Sequence, residues 1–214
     1  MQLANKSAVV TGGGSGIGAA ISRRFAAEGA VVDVVDANLQ NASDIARAIN
    51  EAGGTAKAHQ LDVRDAQQVT SVLADIHQRR GRADILVTSA GISLRETLPD
   101  TSADSWDQVF AVNVRGTFLC VQATVPRMVA QGGGSIITVA SQLAFAGGRG
   151  NPAYIASKGA IASFTRSVAL DYAEVGVRVN ALVPGATVTP LMENGMARQP
   201  DPETARAASQ SRHA

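Results

Sequence analysis

The chain is poor in the residues that would mark a secreted, metal-bound or nucleic-acid-bound protein. It has one cysteine, Cys120, in 214 residues, so no internal disulfide can form and a cytoplasmic setting is expected. Cys120 falls in the apolar stretch 114–125, where a thiol behaves as a small hydrophobe. Three histidines, His59, His77 and His213, are scattered without ligand spacing, so no metal site is expected. The net charge is +1 and no basic block occurs, which argues against nucleic acid or an anionic membrane as partner. No run of about 18 apolar residues is present, so no membrane span is expected. The opening MQLANKSAVV lacks the charged and apolar regions of a signal peptide. Neither an internal repeat nor a linker divides the chain, whose length suits one α/β domain with a real core.

What is there is an alternation. Short apolar runs rich in β-branched residues stand at Ser7–Thr11, Ala30–Val35, Ala56–Leu61, Asp84–Thr88, Ser135–Ala140 and Val177–Leu182, and a helical pattern separates most neighbours. This predicts a doubly wound, Rossmann-type parallel sheet of six strands, with helices on both faces and right-handed crossovers. One domain is expected over residues 1–192. The remainder, 193–214, is polar and reads as a short helix or as disordered.

The first strand runs into Gly12-Gly-Gly-Ser-Gly16-Ile-Gly18 and then a helix. Glycines let the backbone approach a pyrophosphate, and the helix N-terminus presents free N–H groups. Two registers fit: Gly14, Gly16 and Ala19 as G-x-G-x-x-A, or Gly12, Gly16 and Gly18 as T-G-x-x-x-G-x-G. The second is preferred because it begins at the strand end. Asp36 closes the second strand, about 20 positions on, where a carboxylate reads the adenosine ribose. It would repel a 2′-phosphate, and neither Ala37, Asn38 nor Ser15 brings a positive charge, so NAD is favoured over NADP. Capping the next helix is the alternative for Asp36. Asp62 after the third strand suits either the adenine amine or a helix cap. Ser89-Ala90-Gly91 gives small residues where backbone could pass close to a cofactor. Asn113 is a polar residue on an otherwise apolar helix face and needs partners. Asp33, inside a strand, has no functional account.

The segment Ser141 to Lys158 carries the chemistry. Ser141 sits at the carboxyl end of the fifth strand. Asn151 is expected to cap a helix that begins at Pro152 and runs to about Glu174. Tyr154 and Lys158 stand four apart on it, hence on one face. A phenol with a pKa near ~10 is a poor base at neutral pH, and a nearby ammonium favours its ionised form. Tyr154 could then pass a proton to or from an alcohol oxygen that the Ser141 hydroxyl holds. A chance i,i+4 pair on an exposed face is the plain alternative.

Taken together, TGGGSGIG, Asp36, Asp62-Val63, Asn113, Ser141, Tyr154 and Lys158 resemble the motifs of the short-chain dehydrogenase/reductase family, in order, as far as about Met192. The resemblance implies an oxidoreductase that interconverts a secondary alcohol and a ketone with NAD(H). It implies that Gly12, Ser15, Gly16, Ile17 and Gly18 line the pyrophosphate and ribose, and that Asp62 and Val63 meet the adenine. Asn113, Ser141, Tyr154 and Lys158 match the catalytic tetrad, in which Tyr is the acid/base, Ser polarises the substrate oxygen, Lys binds nicotinamide ribose and Asn holds a relay water. Ser89, Ala90 and Gly91 pass beside the cofactor. Pro184, Gly185, Thr187 and Thr189 resemble the segment at the nicotinamide. The family usually assembles as a homodimer or homotetramer through the helices near 102–130 and 152–175.

Two departures stand out. Ser89 replaces the family's Asn, and similar proteins carry a further helix and a seventh, edge strand. A non-catalytic NAD-binding or interaction protein is therefore the alternative reading, and a sugar-nucleotide epimerase is a third. The residues around the site, Ser93, Leu94, Gln142, Leu143, Phe145 and Met192, are mixed and do not name the small-molecule substrate.

Overall fold

In the computed structural model, which describes residues 1–197, 201, 203 and 204, the run SAVVT forms β1 (Ser7–Thr11), buried along its whole length. A central parallel strand is covered on both faces, which is why this run is apolar without alternating. With β2 (Val31–Asp36), β3 (Thr55–Gln60), β4 (Ile85–Thr88), β5 (Gly134–Val139) and β6 (Val177–Leu182) it builds a six-stranded sheet in the order β3-β2-β1-β4-β5-β6. Every pairing is parallel. The doubly wound sheet expected from the sequence is present, its strands ending within one residue of the runs read there.

The helices α1 (Gly16–Ala27), α2 (Leu39–Glu51), α3 (Ala66–Arg80), α4 (Ala103–Phe110), α5 (Gly116–Ala130), α6 (Leu143–Ala146), α7 (Pro152–Tyr172) and α8 (Pro190–Ala197) carry the connections. On one face, Ala19 and Ala26 of α1 and Ile45 and Ile49 of α2 close over Val32 and Val34. On the other, Leu73 and Ile76 of α3, Val121 and Val125 of α5 and Val168 of α7 close over Val9, Leu86 and Ile136. Each such valine, leucine or isoleucine contributes roughly 1.5–3 kcal/mol on leaving water. The helical run Ala103–Ala130 is by length and composition apolar enough to cross a membrane, but half of its apolar window is buried inside the domain. Its apolarity is that of a core helix, with Cys120 among the wholly buried residues.

Between α4 and α5 the helix widens into a single π turn, Ala111–Arg115, with Asn113 at its centre. A π turn inserts one extra residue and so re-aims the side chains around it; such turns collect at functional sites. Pro126 stays inside α5 without ending it.

One expected cap and two alternative cap roles are not found. Asn151 stands at the N-cap of α7, but its side chain makes no cap bond; its amide donates to the Ser93 hydroxyl at 2.8 Å instead. Asn38, not Asp36, caps α2. Asp65, not Asp62, caps α3. The domain end expected at 192 falls within α8, whose Gly195 and Met196 are buried. The polar tail expected as a short helix or disordered lies mostly outside the described residues.

Asp33 now has an account. It is wholly buried in β2, and it accepts from Arg80 of α3 at 2.7 and 3.0 Å while His59 of β3 lies 2.8 Å away. Burial pushes its carboxyl up in pKa, but these two partners more than reverse that and leave it below the usual value.

Candidate active site

From β1 the chain winds outward through β2 and β3; from β4 it winds the other way through β5 and β6. The crevice above the carboxyl ends of β1 and β4 is therefore a switch point, where open α/β sheets bind ligands. A cavity of about 820 Å³ fills it.

At one end lies the glycine turn. Gly12 takes a left-handed φ of 63°, and a side chain there would meet the backbone N of Ala90 at 2.6 Å. Gly18 is packed so that a Cβ would fall 2.1 Å from the Gly12 carbonyl oxygen. These contacts require glycine at Gly12 and Gly18; Gly14, of the other register, is crowded too, a Cβ there falling 2.8 Å from Asn41 Cβ. Gly12, Ser15, Gly16 and Ile17 line the cavity; Gly18 does not, and acts by letting α1 seat close against the turn. The Ser15 side chain makes no cap bond.

Asp36 reaches the same space. Its Oδ2 accepts from the Gly14 N–H at 3.0 Å and its Oδ1 from the Asn38 N–H at 3.0 Å. The carboxylate thus straps the turn to the end of β2 and still borders the cavity. Asp62 and Val63 line the wall beyond it. The Arg64 side chain donates to Asp62 at 2.6 Å and holds its carboxyl below the usual range. Gly116, at the start of α5, brings that helix against Val63, to which a Cβ there would come within 2.6 Å.

The other end holds the hydroxyl, phenol and amine. Ser141, Tyr154 and Lys158 all line the cavity. The Gln142 N–H donates to the Pro184 carbonyl at 3.1 Å, tying the end of β5 to the segment after β6. Pro184, Gly185, Thr187 and Thr189 line the wall nearby, and Ser89, Ala90 and Gly91 form the wall from β4.

The electrostatics differ from the simple ammonium–phenol pair. Lys158 is 4% exposed, and burial pushes its amine down to about 8. Its Nζ donates to the Val139 carbonyl at 2.7 Å and lies 5.5 Å from the Tyr154 ring centroid, over the ring. In the protein alone, burial holds the Tyr154 phenol above its ordinary value, partly offset by the Ser141 hydroxyl and then by the charge of Arg95. The amine expected to acidify the phenol is itself desolvated and engaged by a carbonyl.

Asn113 does not line the cavity. It is wholly buried, and its Oδ1 accepts from the Ile92 N–H at 2.8 Å. Its Nδ2 donates to the Ile92 carbonyl at 3.0 Å and to the Ser157 hydroxyl at 2.9 Å. The side chain therefore fixes the loop after β4 to α7, one residue before Lys158.

Of the residues expected around the substrate, Ser93, Gln142, Leu143 and Met192 line the cavity, while Phe145 is 63% exposed and neither it nor Leu94 borders the space. Arg64, Arg95 and Arg149 also line it and were missed. Only their position in loops after β3, β4 and β5 could have signalled them.

The fold is shared with known proteins. The family model described as short chain dehydrogenase matches residues 6–200. A 2,5-dichloro-2,5-cyclohexadiene-1,4-diol dehydrogenase of Sphingobium indicum is 38% identical over 193 residues, covering 90% of this chain and 77% of that protein. Among solved structures, a Beutenbergia cavernae protein described as an NAD(P) dependent gluconate 5-dehydrogenase, with NADP bound at low occupancy, superposes with a TM-score of 0.91 at 36% identity, over 99% of this chain and 82% of that one. An NAD⁺-bound xylitol dehydrogenase gives 0.84 at 31% identity, over 86% of this chain and 71% of that one.

Proposed function

The chain belongs to the short-chain dehydrogenase family of oxidoreductases, and from that premise we propose that it interconverts a secondary alcohol and a ketone, with NAD as its cofactor and Tyr154 as its acid/base. The observation that carries this reading is a single cavity bordered at one end by Gly12, Gly16 and Asp36 and at the other by Ser141, Tyr154 and Lys158. The backbone at Gly12 leaves no room for a side chain, as a dinucleotide cradle requires.

The glycine turn and the N-terminus of α1 would hold the pyrophosphate, Asp36 the adenosine ribose, and Lys158 the nicotinamide ribose. When bound, the nicotinamide cofactor supplies the hydride acceptor for oxidation and the hydride donor for reduction. Tyr154 takes the hydroxyl proton at its phenol oxygen in the oxidative direction and returns it in the reductive one. Ser141 holds the same substrate oxygen by hydrogen bond. Asn113 keeps α7 in register with the loop after β4, so that Tyr154 and Lys158 meet the substrate together.

NAD over NADP is supported by the Asp36 carboxylate, which would face a 2′-phosphate with like charge. Ala37 adds no cation beside it, and Arg64 is paired with Asp62. We also infer a homodimer or homotetramer, supported by the apolar Phe118 and Leu170, 41% and 80% exposed on α5 and α7; a monomeric native mass would refute it.

The test is NADH absorbance with NAD and a broad panel of secondary alcohols, and the reverse with ketones. Turnover that falls roughly 10²- to 10⁴-fold in Tyr154→Phe, with NAD binding kept, is the expected result. A fully active Tyr154→Phe variant would end the assignment.

A further inference from the structure

The substrate end of the cavity is electrically one-sided. Its lining includes Arg95 and Arg149 but no aspartate or glutamate; the two acids that border the cavity, Asp36 and Asp62, are at the opposite end. Asp62 is already paired with Arg64, and Asp36 is bonded to backbone N–H groups. Among the described residues no carboxylate forms an ion pair with Arg95. Its neighbour Glu96 instead accepts from the Ser105 hydroxyl at 3.1 Å.

Arg95 is also held in place by unusual means. Its φ is 58°, a left-handed conformation that disfavours a side chain by roughly 1–2 kcal/mol. Its stem lies against α8 at Gly195, where an added Cβ would sit 3.0 Å from both Cγ and Nε. Glycine at 195 is what admits the guanidinium stem between the loop and the helix. The charge so placed is close enough to Tyr154 to act on its phenol. A half-buried arginine with no acidic partner, fixed beside the reacting group, is a recognition element for an anion.

We propose that Arg95 binds an anionic group on the substrate, so that this protein selects secondary alcohols and ketones bearing a carboxylate or a phosphate near the reacting carbon. The inference rests on the oxidoreductase reading above and narrows it to a substrate class. Arg149, exposed on the loop before α7, is placed to attract such substrates to the mouth.

The experiment compares kcat/KM with NAD for hydroxy acids of four to six carbons, each against its own primary amide, and for polyol phosphates against the parent polyols. One of the two anionic sets is expected to exceed its neutral partners, and which one does so identifies the anion. Arg95→Gln should lower that anion-over-neutral ratio roughly ten- to a hundred-fold, the range of a charged hydrogen bond, and Arg95→Lys should restore part of it. Gly195→Ala, which presses a methyl group against Cγ and Nε, should lower the ratio in the same direction. An unchanged ratio in Arg95→Gln, or a wild type that prefers the neutral partner in both sets, overturns the proposal. If no alcohol or ketone turns over, the oxidoreductase reading is what fails. Calorimetry of the hydroxy acids and of the polyol phosphates on the NAD-loaded protein then decides the anion site separately: binding of either set that is lost in Arg95→Gln supports it, and binding that is unchanged in Arg95→Gln, or absent for both sets, refutes it.

Discussion

Asn113 and Ser157 are joined by a hydrogen bond of 2.9 Å between two wholly buried side chains, which couples the π turn of one helix to the residue before Lys158 on another. With both of its hydrogens and its oxygen engaged by protein groups, Asn113 acts through position. Asn113→Ala removes the amide partner of the partly buried Ile92 N–H and carbonyl, while the Ser157 hydroxyl keeps its bond to the Tyr154 carbonyl at 2.7 Å. It should destabilise the protein by about 1–3 kcal/mol, the cost of leaving such polar groups unpaired. Denaturant unfolding reads this directly. A change under half a kcal/mol would mean water replaces the amide.

Lys158 is predicted to be a stability liability. Its folded pKa of about 8 lies below the ordinary value of 10.5 because burial disfavours the charged form. The sign follows: below pH 8 both states bind the proton and the folded state carries the full penalty, and as pH rises from 8 toward 10.5 the unfolded state binds more protons, so stability recovers. In the absence of cofactor, Lys158→Met should therefore raise stability at pH 7 by about 1–3 kcal/mol, less than the full linkage because the bond to Val139 is lost. The gain should shrink toward pH 10, and oxidoreductase turnover should be lost. Thermal melts at both pH values test it; a variant that melts lower at pH 7 would contradict the buried, penalised amine.

At Asp36, Asn is expected to keep one of the two backbone contacts while removing the negative charge. Asp36→Asn should raise the NADP-over-NAD ratio of kcat/KM by at least about ten-fold, the effect of roughly 1.4 kcal/mol. Stability should fall only slightly, because the amide oxygen still accepts from Gly14 or Asn38. A ratio that does not move would show that the carboxylate serves the turn and not cofactor choice.

Asp33 and Arg80 anchor the outer half of the sheet. Asp33 has a lowered pKa in the fold, so its contribution is present above its unfolded value of 3.8 and is lost as pH falls below that toward the folded value. Arg80→Met leaves a buried carboxylate short of its main partner and should cost about 3 kcal/mol. Its effect should be largest above pH 4 and fade in acid. Equal losses at pH 7 and pH 3 would argue against the ion pair as cause.

Much of this molecule is legible along the chain because its strands are short β-branched runs, the central one buried along its whole length, and its turns need glycine. SAVVT and VRVNAL have the ends read from them as short runs rich in β-branched residues. Local bonds escape such reading. Asp36 and Asp62 each had an eligible cap role that a neighbour, Asn38 or Asp65, took instead, and the Asn151 side chain bonds the distant Ser93 rather than its own helix.

The sequence by itself determined the alternation of strands and helices, the glycine turn, the spacing of Tyr154 and Lys158 and the carboxylate at Asp36, because these depend on periodicity and residue type over short spans. Tertiary structure alone decided that Lys158 is desolvated and bonded to Val139, that Asn113 faces Ile92 and Ser157 rather than the cavity, and that Arg95 lies on Gly195 beside the phenol. Those facts depend on burial and on contacts between residues up to 100 positions apart, and dielectric surroundings and long-range contacts leave no periodic mark in a chain.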